Sequence, residues 1–298
     1  MTQNSHKSKV LVLLSTFNGA KFLEEQLVSL SIQTDVSLTI LVRDDGSEDG
    51  TLHILRGWVD KLNLKIIQGS NVGADKSFKI LMKESERHFF DYIAFCDQDD
   101  IWMPDKLIRS IEMLHRANVG HYSSKRLLHV DKKIELTEYP KKRVTVSFEN
   151  SIFENVAAGC TTVISRSFFM KLMGLGCSEI SGSYDHIIHL MSAALNQTYF
   201  DQEARILYRI HESNLAGIAM LRNRSITKTQ QEVHQKKALL ESAFTKLEVE
   251  MSVTDRNFAT EVLRRRNFRQ RIRWMFSLPK MRQNFIHDLF LKVFLLCR

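Results

Sequence analysis

The sequence predicts an α/β fold, a largely parallel sheet flanked by helices. Three observations carry this. Val10-Leu11-Val12-Leu13-Leu14, Leu38-Thr39-Ile40-Leu41-Val42 and Tyr92-Ile93-Ala94-Phe95-Cys96 are apolar runs of the kind expected for strands buried on both faces. Each of them ends in a polar turn containing Asp, Asn, Ser or Gly. The stretches between them repeat apolar residues at helical spacing, which makes a β-α-β order with right-handed crossovers.

The elements follow in order. The first strand ends in Ser15-Thr16-Phe17-Asn18-Gly19, and Phe22, Leu23, Leu27 and Leu30 then define a helix stripe. The second strand runs into Arg43-Asp44-Asp45-Gly46-Ser47. Gly46 permits a tight turn there, and Asp49 or Thr51 starts the next helix. Leu64-Lys65-Ile66-Ile67 is a short third strand leading to Asn71-Val72-Gly73, with a helix from about 76 to 88 before the fourth strand. Beyond Trp102 a helix spans 106–116, with Leu107, Ile111 and Leu114 on one stripe. Residues 121–137 alternate weakly, as further strands would. Thr161-Thr162-Val163-Ile164 is β-branched, and helices are expected over 185–195 and 228–251, the latter burying Leu239, Leu240, Ala243, Phe244 and Leu247.

The chemistry concentrates in Asp97-Gln98-Asp99-Asp100, three carboxylates at the C-terminal end of a buried strand. Open α/β sheets place ligands at that edge. In an extended segment Asp97 and Asp99 share a face, and two converging carboxylates call for a cation between them. Oxygen ligands suit a hard divalent ion such as Mg²⁺ or Mn²⁺. Asp44 and Asp45 end the second strand on the same edge, where a carboxylate can accept from a pyrimidine N–H or ribose hydroxyls. A turn with a helix cap explains the same pair without any ligand.

Composition narrows the class. The chain has 298 residues, 44% hydrophobic and 26% charged, with 3 prolines and 12 glycines, which leaves little room for disordered linkers. Four scattered cysteines give neither zinc spacing nor a disulfide framework and read as thiols in a reducing compartment. The polar first nine residues lack the apolar core of a signal peptide, and no apolar run approaches the roughly 20 residues of a membrane span. A cytoplasmic protein is expected. Residues 220–298 carry 17 Lys/Arg against 7 Asp/Glu, whereas the whole chain carries 42 against 34. The net +8 therefore belongs to the C-terminal part and points to a polyanionic partner for it.

These segments, taken together and in order, resemble the family 2 glycosyltransferases, which have the GT-A fold, a Rossmann-like nucleotide-sugar-binding mixed sheet. The resemblance rests on residues 15–19, Arg-Asp-Asp-Gly-Ser-Glu-Asp-Gly-Thr at 43–51, 71–73 and Asp-Gln-Asp-Asp-Ile-Trp at 97–102. Tyr184-Asp185-His186 and Tyr208-Arg209-Ile210-His211-Glu212-Ser213-Asn214 match later blocks of its rhamnosyltransferase-like branch. What the resemblance implies is a nucleoside diphosphate sugar donor, a Mn²⁺ or Mg²⁺ cofactor and inverting transfer to a saccharide acceptor. On the donor side it implies nucleoside binding by Thr16, Asn18, Asp44 or Asp45, Asn71 and Asp97. Asp99 would be the chief metal ligand, with Asp97 beside it, and Arg209 and His211 would meet the diphosphate. Asp185 would be the general base, while Gly159 and Trp102 would line the acceptor side. His186-Ile187-Ile188 departs from the aromatic residues usual after that Asp, and His186 itself reads as a packed histidine. The branch suggests dTDP-L-rhamnose, with UDP-hexoses open.

The domain reading is a catalytic unit over 1–219 and a helical, basic, amphipathic extension over 220–298. In residues 256–298 arginines and lysines interleave with Phe258, Phe268, Trp274, Phe276, Phe285, Phe290 and Phe294. That pattern suits a helix in the interface of an anionic bilayer, at the inner face of the cell membrane, where a lipid-linked acceptor resides. A helix covering the catalytic unit has the same stripe. Two other classes remain. A nucleotidyltransferase acting on a sugar phosphate also joins parallel strands, metal and carboxylates, but usually has a Gly-rich phosphate loop that this N-terminus lacks. A nucleic-acid-binding protein would use the basic tail yet gives no reason for Asp44, Asp45, Asp97, Asp99 and Asp185 to gather, so no nucleic acid is expected as partner.

Overall fold

Alternation along the first strand organises the whole molecule. In the computed structural model, which describes residues 7–130, 136–211 and 226–264, β1 (Ser8–Thr16) sends Leu11 and Leu13 into one apolar layer and Val10, Val12 and Leu14 into the other. Successive side chains of a strand point to opposite faces, so a strand apolar at every position is buried between two layers. β2 (Val36–Asp44) and β4 (Tyr92–Asp97) pair with β1 in parallel on either side. β3 (Leu64–Gln68) continues beyond β2. The connecting helices α1 (Ala20–Ser31), α2 (Thr51–Trp58) and α3 (Ala74–Ser85) form where expected. Gly46 has φ +85°, and a Cβ there would meet the Gly69 carbonyl at 3.2 Å, so the turn after β2 needs a glycine.

The second half extends the sheet beyond β4 and builds a second, smaller one. β5 (Ile101–Trp102) and α4 (Lys106–Ala117) follow the acidic turn. The weakly alternating region divides into β6 (His121–Ser124), β7 (Arg126–Val130) and β8 (Leu136–Tyr139). After α5 (Phe148–Phe153) and a short 3-10 turn over Gly159–Thr161, β9 (Val163–Ser165) runs antiparallel to both β4 and β6. α6 (Arg166–Gly174) and α7 (Tyr184–Ala194) come next, then β10 (Thr198–Asp201) and β11 (Ile206–Ile210). The result is a seven-stranded mixed sheet, β10-β6-β9-β4-β1-β2-β3, and a four-stranded sheet, β5-β11-β7-β8. Pairing of β7 with β11 in parallel folds the segment around Arg209 back over the acidic turn.

α8 (Ile226–Leu247) and α9 (Val253–Leu263) belong to the basic extension. Leu239, Leu240, Ala243 and Leu247 of α8, and Ala259 and Val262 of α9, lie in the same apolar cluster as Leu11, Leu13 and Ile188. Residues 226–264 therefore pack onto the core formed by the first part of the chain. The boundary at 219/220 and the aromatic-basic stretch from 265 onward lie outside the described residues. No helix among the described residues is long and apolar enough to cross a membrane.

Candidate active site

Parallel register sets the site's edge. Thr16 is the register partner of Asp44, and Ser15 that of Asp97, so the ends of β1, β2 and β4 arrive together. The first turn is then stitched to both neighbours. Thr16 Oγ1 donates to Asp44 Oδ2 at 3.0 Å, and the Ser47 amide donates to Asp44 Oδ1 at 3.0 Å. Asn18 receives the Glu48 amide at 2.9 Å and donates its own amide to the Ser47 hydroxyl at 2.9 Å. Gln98 completes the join from the acidic turn, accepting the Phe17 amide at 2.9 Å and donating to the Phe17 carbonyl at 3.0 Å. That role for Gln98 had no signal in the sequence.

Asp45 faces elsewhere. Its carboxylate pairs with Arg43 and accepts the Gly73 amide at 2.8 Å and the Val72 amide at 3.0 Å. Asn71 accepts the same Gly73 amide at 3.0 Å. Of the two acids at the end of β2, Asp45 therefore builds the 71–73 loop, and Asp44 is the one beside Thr16.

The acidic turn itself is held from β11. Arg209 donates from Nε to the Asp99 carbonyl at 3.0 Å and from Nη2 to Glu25 at 2.6 Å, and its amide donates to Asp100 Oδ1 at 3.3 Å. His211 Nε2 lies 2.8 Å from Asp99 Oδ2 and its ring packs 4.4 Å from Phe22. Arg209 and His211 are more than a hundred positions from Asp99, and the pairing of β11 with β5 and β7 brings them to it. Asp100 is wholly buried, its Oδ2 without a hydrogen bond.

Asp185 sits in the first turn of α7 with three donors: the Ser183 hydroxyl at 2.6 Å, the His186 amide at 2.7 Å and the Gly159 amide at 3.2 Å. Burial raises its pKa from the ordinary carboxylate value, with the charge of Asp75 adding to the rise and the donors opposing it. Asp97 is pushed up to about 7 by burial first, then by the charges of Asp99 and Asp185. Asp97 thus feels the charges of both Asp99 and Asp185. Asp75, unremarked in the sequence, fixes the start of α7 by accepting from Ser183 at 2.9 Å and from the Tyr184 amide at 3.1 Å.

One residue expected on the acceptor side lies elsewhere. Trp102 is 1% exposed and packs with Leu107 and Ile111 in the core, under the Lys106 ammonium at 3.4 Å from its ring centre. It offers no face to an acceptor; of the two roles open to it, sugar contact or core packing, the structure shows core packing. Cys160, which no reading made a nucleophile, is buried and its thiol is pushed well above the ordinary value by burial and by Asp100 and Asp97. His186 is packed as expected: Nε2 meets the Ser151 carbonyl at 2.6 Å, and Nδ1 faces Lys236 of α8.

Metal fit is decided by the donor set. Ligand atoms of Asp97, Asp100 and Cys160 lie within 4.8 Å of one another. A thiol held protonated and a wholly buried carboxylate are poor partners for Mg²⁺ or Mn²⁺, which take accessible oxygens. No such close group among the described residues includes Asp99; the carboxylates of Asp97 and Asp99 are nonetheless the donor type such an ion takes, and the charge of Asp99 already raises Asp97.

Comparisons with known proteins give the family and the fold. The family described as Glycosyl transferase family 2 matches residues 11–173. A dTDP-rhamnosyl transferase, RfbG of Shigella flexneri, is 31% identical over 222 residues, 68% of this chain and 73% of the relative. Among solved structures, S. aureus TarS in complex with UDP-GlcNAc superposes with a TM-score of 0.58 at 19% identity, covering 91% of this chain and 79% of that one. The mannosyltransferase PcManGT of Pyrobaculum calidifontis, in complex with GDP-Man and Mn²⁺, gives 0.53 at 14% identity, over 98% and 86% of the two chains. The structural likenesses establish the GT-A fold.

Proposed function

The chain belongs to glycosyl transferase family 2, and from that premise we propose that it is an inverting, metal-dependent transferase that builds a cell-surface polysaccharide. The donor is a nucleoside diphosphate sugar, dTDP-L-rhamnose in the leading reading and a UDP-hexose in the second. The rhamnosyl transferase relative favours the first, while the UDP-GlcNAc complex of the structural neighbour keeps the second open. The acceptor is a glycan, lipid-linked, and the enzyme works at the inner face of the membrane, with the basic segment beyond residue 264 as its contact.

The observation that carries this reading is that Asp97, at the end of β4, feels the charges of both Asp99 in the acidic turn and Asp185 at the start of α7. Asp185 takes the proton of the acceptor hydroxyl as that oxygen attacks the anomeric carbon from the face opposite the leaving group. Its raised pKa strengthens it as a base, and the Ser183, His186 and Gly159 donors keep it aimed. Asp97, Asp99 and His211 would hold the divalent ion, which when bound supplies charge neutralisation to the departing diphosphate. Thr16 and Asp44 receive the nucleoside, and the 71–73 loop built on Asp45 closes that end.

A thermal-shift panel of UDP, dTDP and GDP sugars, each with and without Mn²⁺, tests the reading. A ligand that binds only the folded state raises its stability. Metal-dependent stabilisation by one nucleotide class is expected; no response from any of them would contradict it.

A further inference from the structure

Arg126 is the first residue of β7 and is 8% exposed. Its antiparallel register partner is Tyr139, whose ring centre lies 5.2 Å from the guanidinium carbon. Tyr208 of β11 flanks it at 4.8 Å. Two aromatic rings thus hold a planar cation in place, as suits a guanidinium, which stacks on aromatic faces and is more weakly hydrated than an ammonium. Yet its N–H groups make no hydrogen bond and no ion pair with any described residue. None of these nitrogens is sealed from solvent, so the guanidinium is fixed by the rings with its donors open to a ligand.

Its place in the site says what acceptor is missing. The charge of Arg126 acts on Asp97, Asp100 and Cys160. Cys160 follows Gly159, whose amide reaches Asp185. Arg126 therefore accompanies Asp97 and the 159–160 turn, whereas Arg209 and His211 accompany Asp99. In displacement with inversion the sugar being transferred must lie between the leaving diphosphate and the base, which is where Asp97 and the 159–160 turn stand. A hydroxyl both donates and accepts, so a guanidinium beside a carboxylate matches a sugar hydroxyl pair.

We propose that Arg126, held between Tyr139 and Tyr208, is a specificity-determining residue that donates to hydroxyl oxygens of the transferred sugar while Asp97 accepts from them. The assignment rests on the transferase reading above.

The test uses the full chain and the sugar nucleotide that the wild-type protein selects from the panel. Arg126→Met keeps the stem between the rings and removes the donors; Arg126→Lys keeps the charge and loses the planar fork. For Arg126→Met, kcat/KM toward the donor should fall about 100-fold, the loss of hydrogen bonds from a charged group. Its affinity for the matching nucleoside diphosphate with Mn²⁺, by calorimetry, should stay within about twofold of wild type, and Arg126→Lys should lie between. Three outcomes overturn the assignment. A kcat/KM within about threefold of wild type removes Arg126 from the substrate. A parallel loss of nucleoside diphosphate affinity makes it a diphosphate residue, and a rise in acceptor KM alone moves it to the acceptor. Should Arg126→Met melt early, Arg126→Lys gives the same reading from a folded protein. Wild-type protein that binds no sugar nucleotide overturns the transferase reading, and this assignment falls with it; binding by wild type with unaffected variants overturns this assignment alone.

Discussion

The Gly159 amide nitrogen lies 3.2 Å from Asp185 Oδ2, joining the turn before β9 to the first turn of α7. This contact ties a residue expected on the acceptor side to the candidate base. It also leaves no room beside it: a Cβ on Gly159 would fall 1.9 Å from the Tyr184 hydroxyl. Tyr184 packs against Phe78 and Phe95 with ring centres 4.3 and 5.2 Å away, so it has nowhere to retreat.

Gly159→Ala should therefore both destabilise and disarm the protein. Overpacking of this kind costs about 1–3 kcal/mol, and relief by shifting Tyr184 would turn Asp185 with it. The melting temperature is expected to fall and kcat to drop more than tenfold with nucleotide affinity kept. Wild-type turnover in the alanine variant would break the link between Gly159 and Asp185.

Metal dependence separates Asp99 from Asp100. Asp99→Ala should abolish the Mn²⁺-dependent part of nucleotide binding in calorimetry. His211→Ala, which removes the partner 2.8 Å from Asp99 Oδ2, should raise the Mn²⁺ requirement about 10- to 100-fold. Undiminished metal dependence in Asp99→Ala would move the ion elsewhere.

Acid sensitivity is expected from two buried histidines. Burial lowers His121 and His189 to about 3 from an ordinary 6.5, and both nitrogens of His189 lack hydrogen-bond partners. The unfolded chain therefore binds more protons than the folded one between those values. Their contribution to stability is complete above about pH 6.5 and is lost as pH falls toward 3, at up to about 1.4 kcal/mol per pH unit for each histidine. His189→Leu should flatten this limb relative to wild type in denaturant titrations at pH 7, 6 and 5. Parallel curves would show that His189 does not take up a proton on unfolding.

Removing residues 265–298 tests the membrane reading without cutting into α9, whose Ala259 and Val262 are core. Basic residues near an anionic surface contribute about 1 kcal/mol each, so affinity for phosphatidylglycerol vesicles should fall more than tenfold. Unchanged vesicle binding would refute the membrane contact.

The strand ends were legible in the sequence because their signals are local. Apolar runs buried on two faces, closed by Asp44 or Asp97, announce a ligand edge, and the helix stripes through Leu23, Ile111 and Leu240 follow the same logic. What stayed hidden depends on distant partners. The pairing of β7 with β11, which seats Arg126 beside Tyr208, joins segments some eighty residues apart in two short strands of ordinary composition. Asp45 reads like Asp44 until the 71–73 loop claims its oxygens. Trp102 could read as core or as a sugar-contacting ring; its burial, with the Lys106 ammonium over its face, makes it core.

The central claim is that Asp185 is the base of a transfer reaction served by Asp97 and Asp99, and one variant addresses it most directly. Asp185→Asn keeps the size and the Gly159 neighbourhood while removing the proton acceptor. Nucleoside diphosphate release with donor and acceptor, measured beside donor affinity, should show kcat reduced by about 10²- to 10⁴-fold with affinity within about twofold of wild type. An Asp185→Asn enzyme that turns over at the wild-type rate would contradict the account.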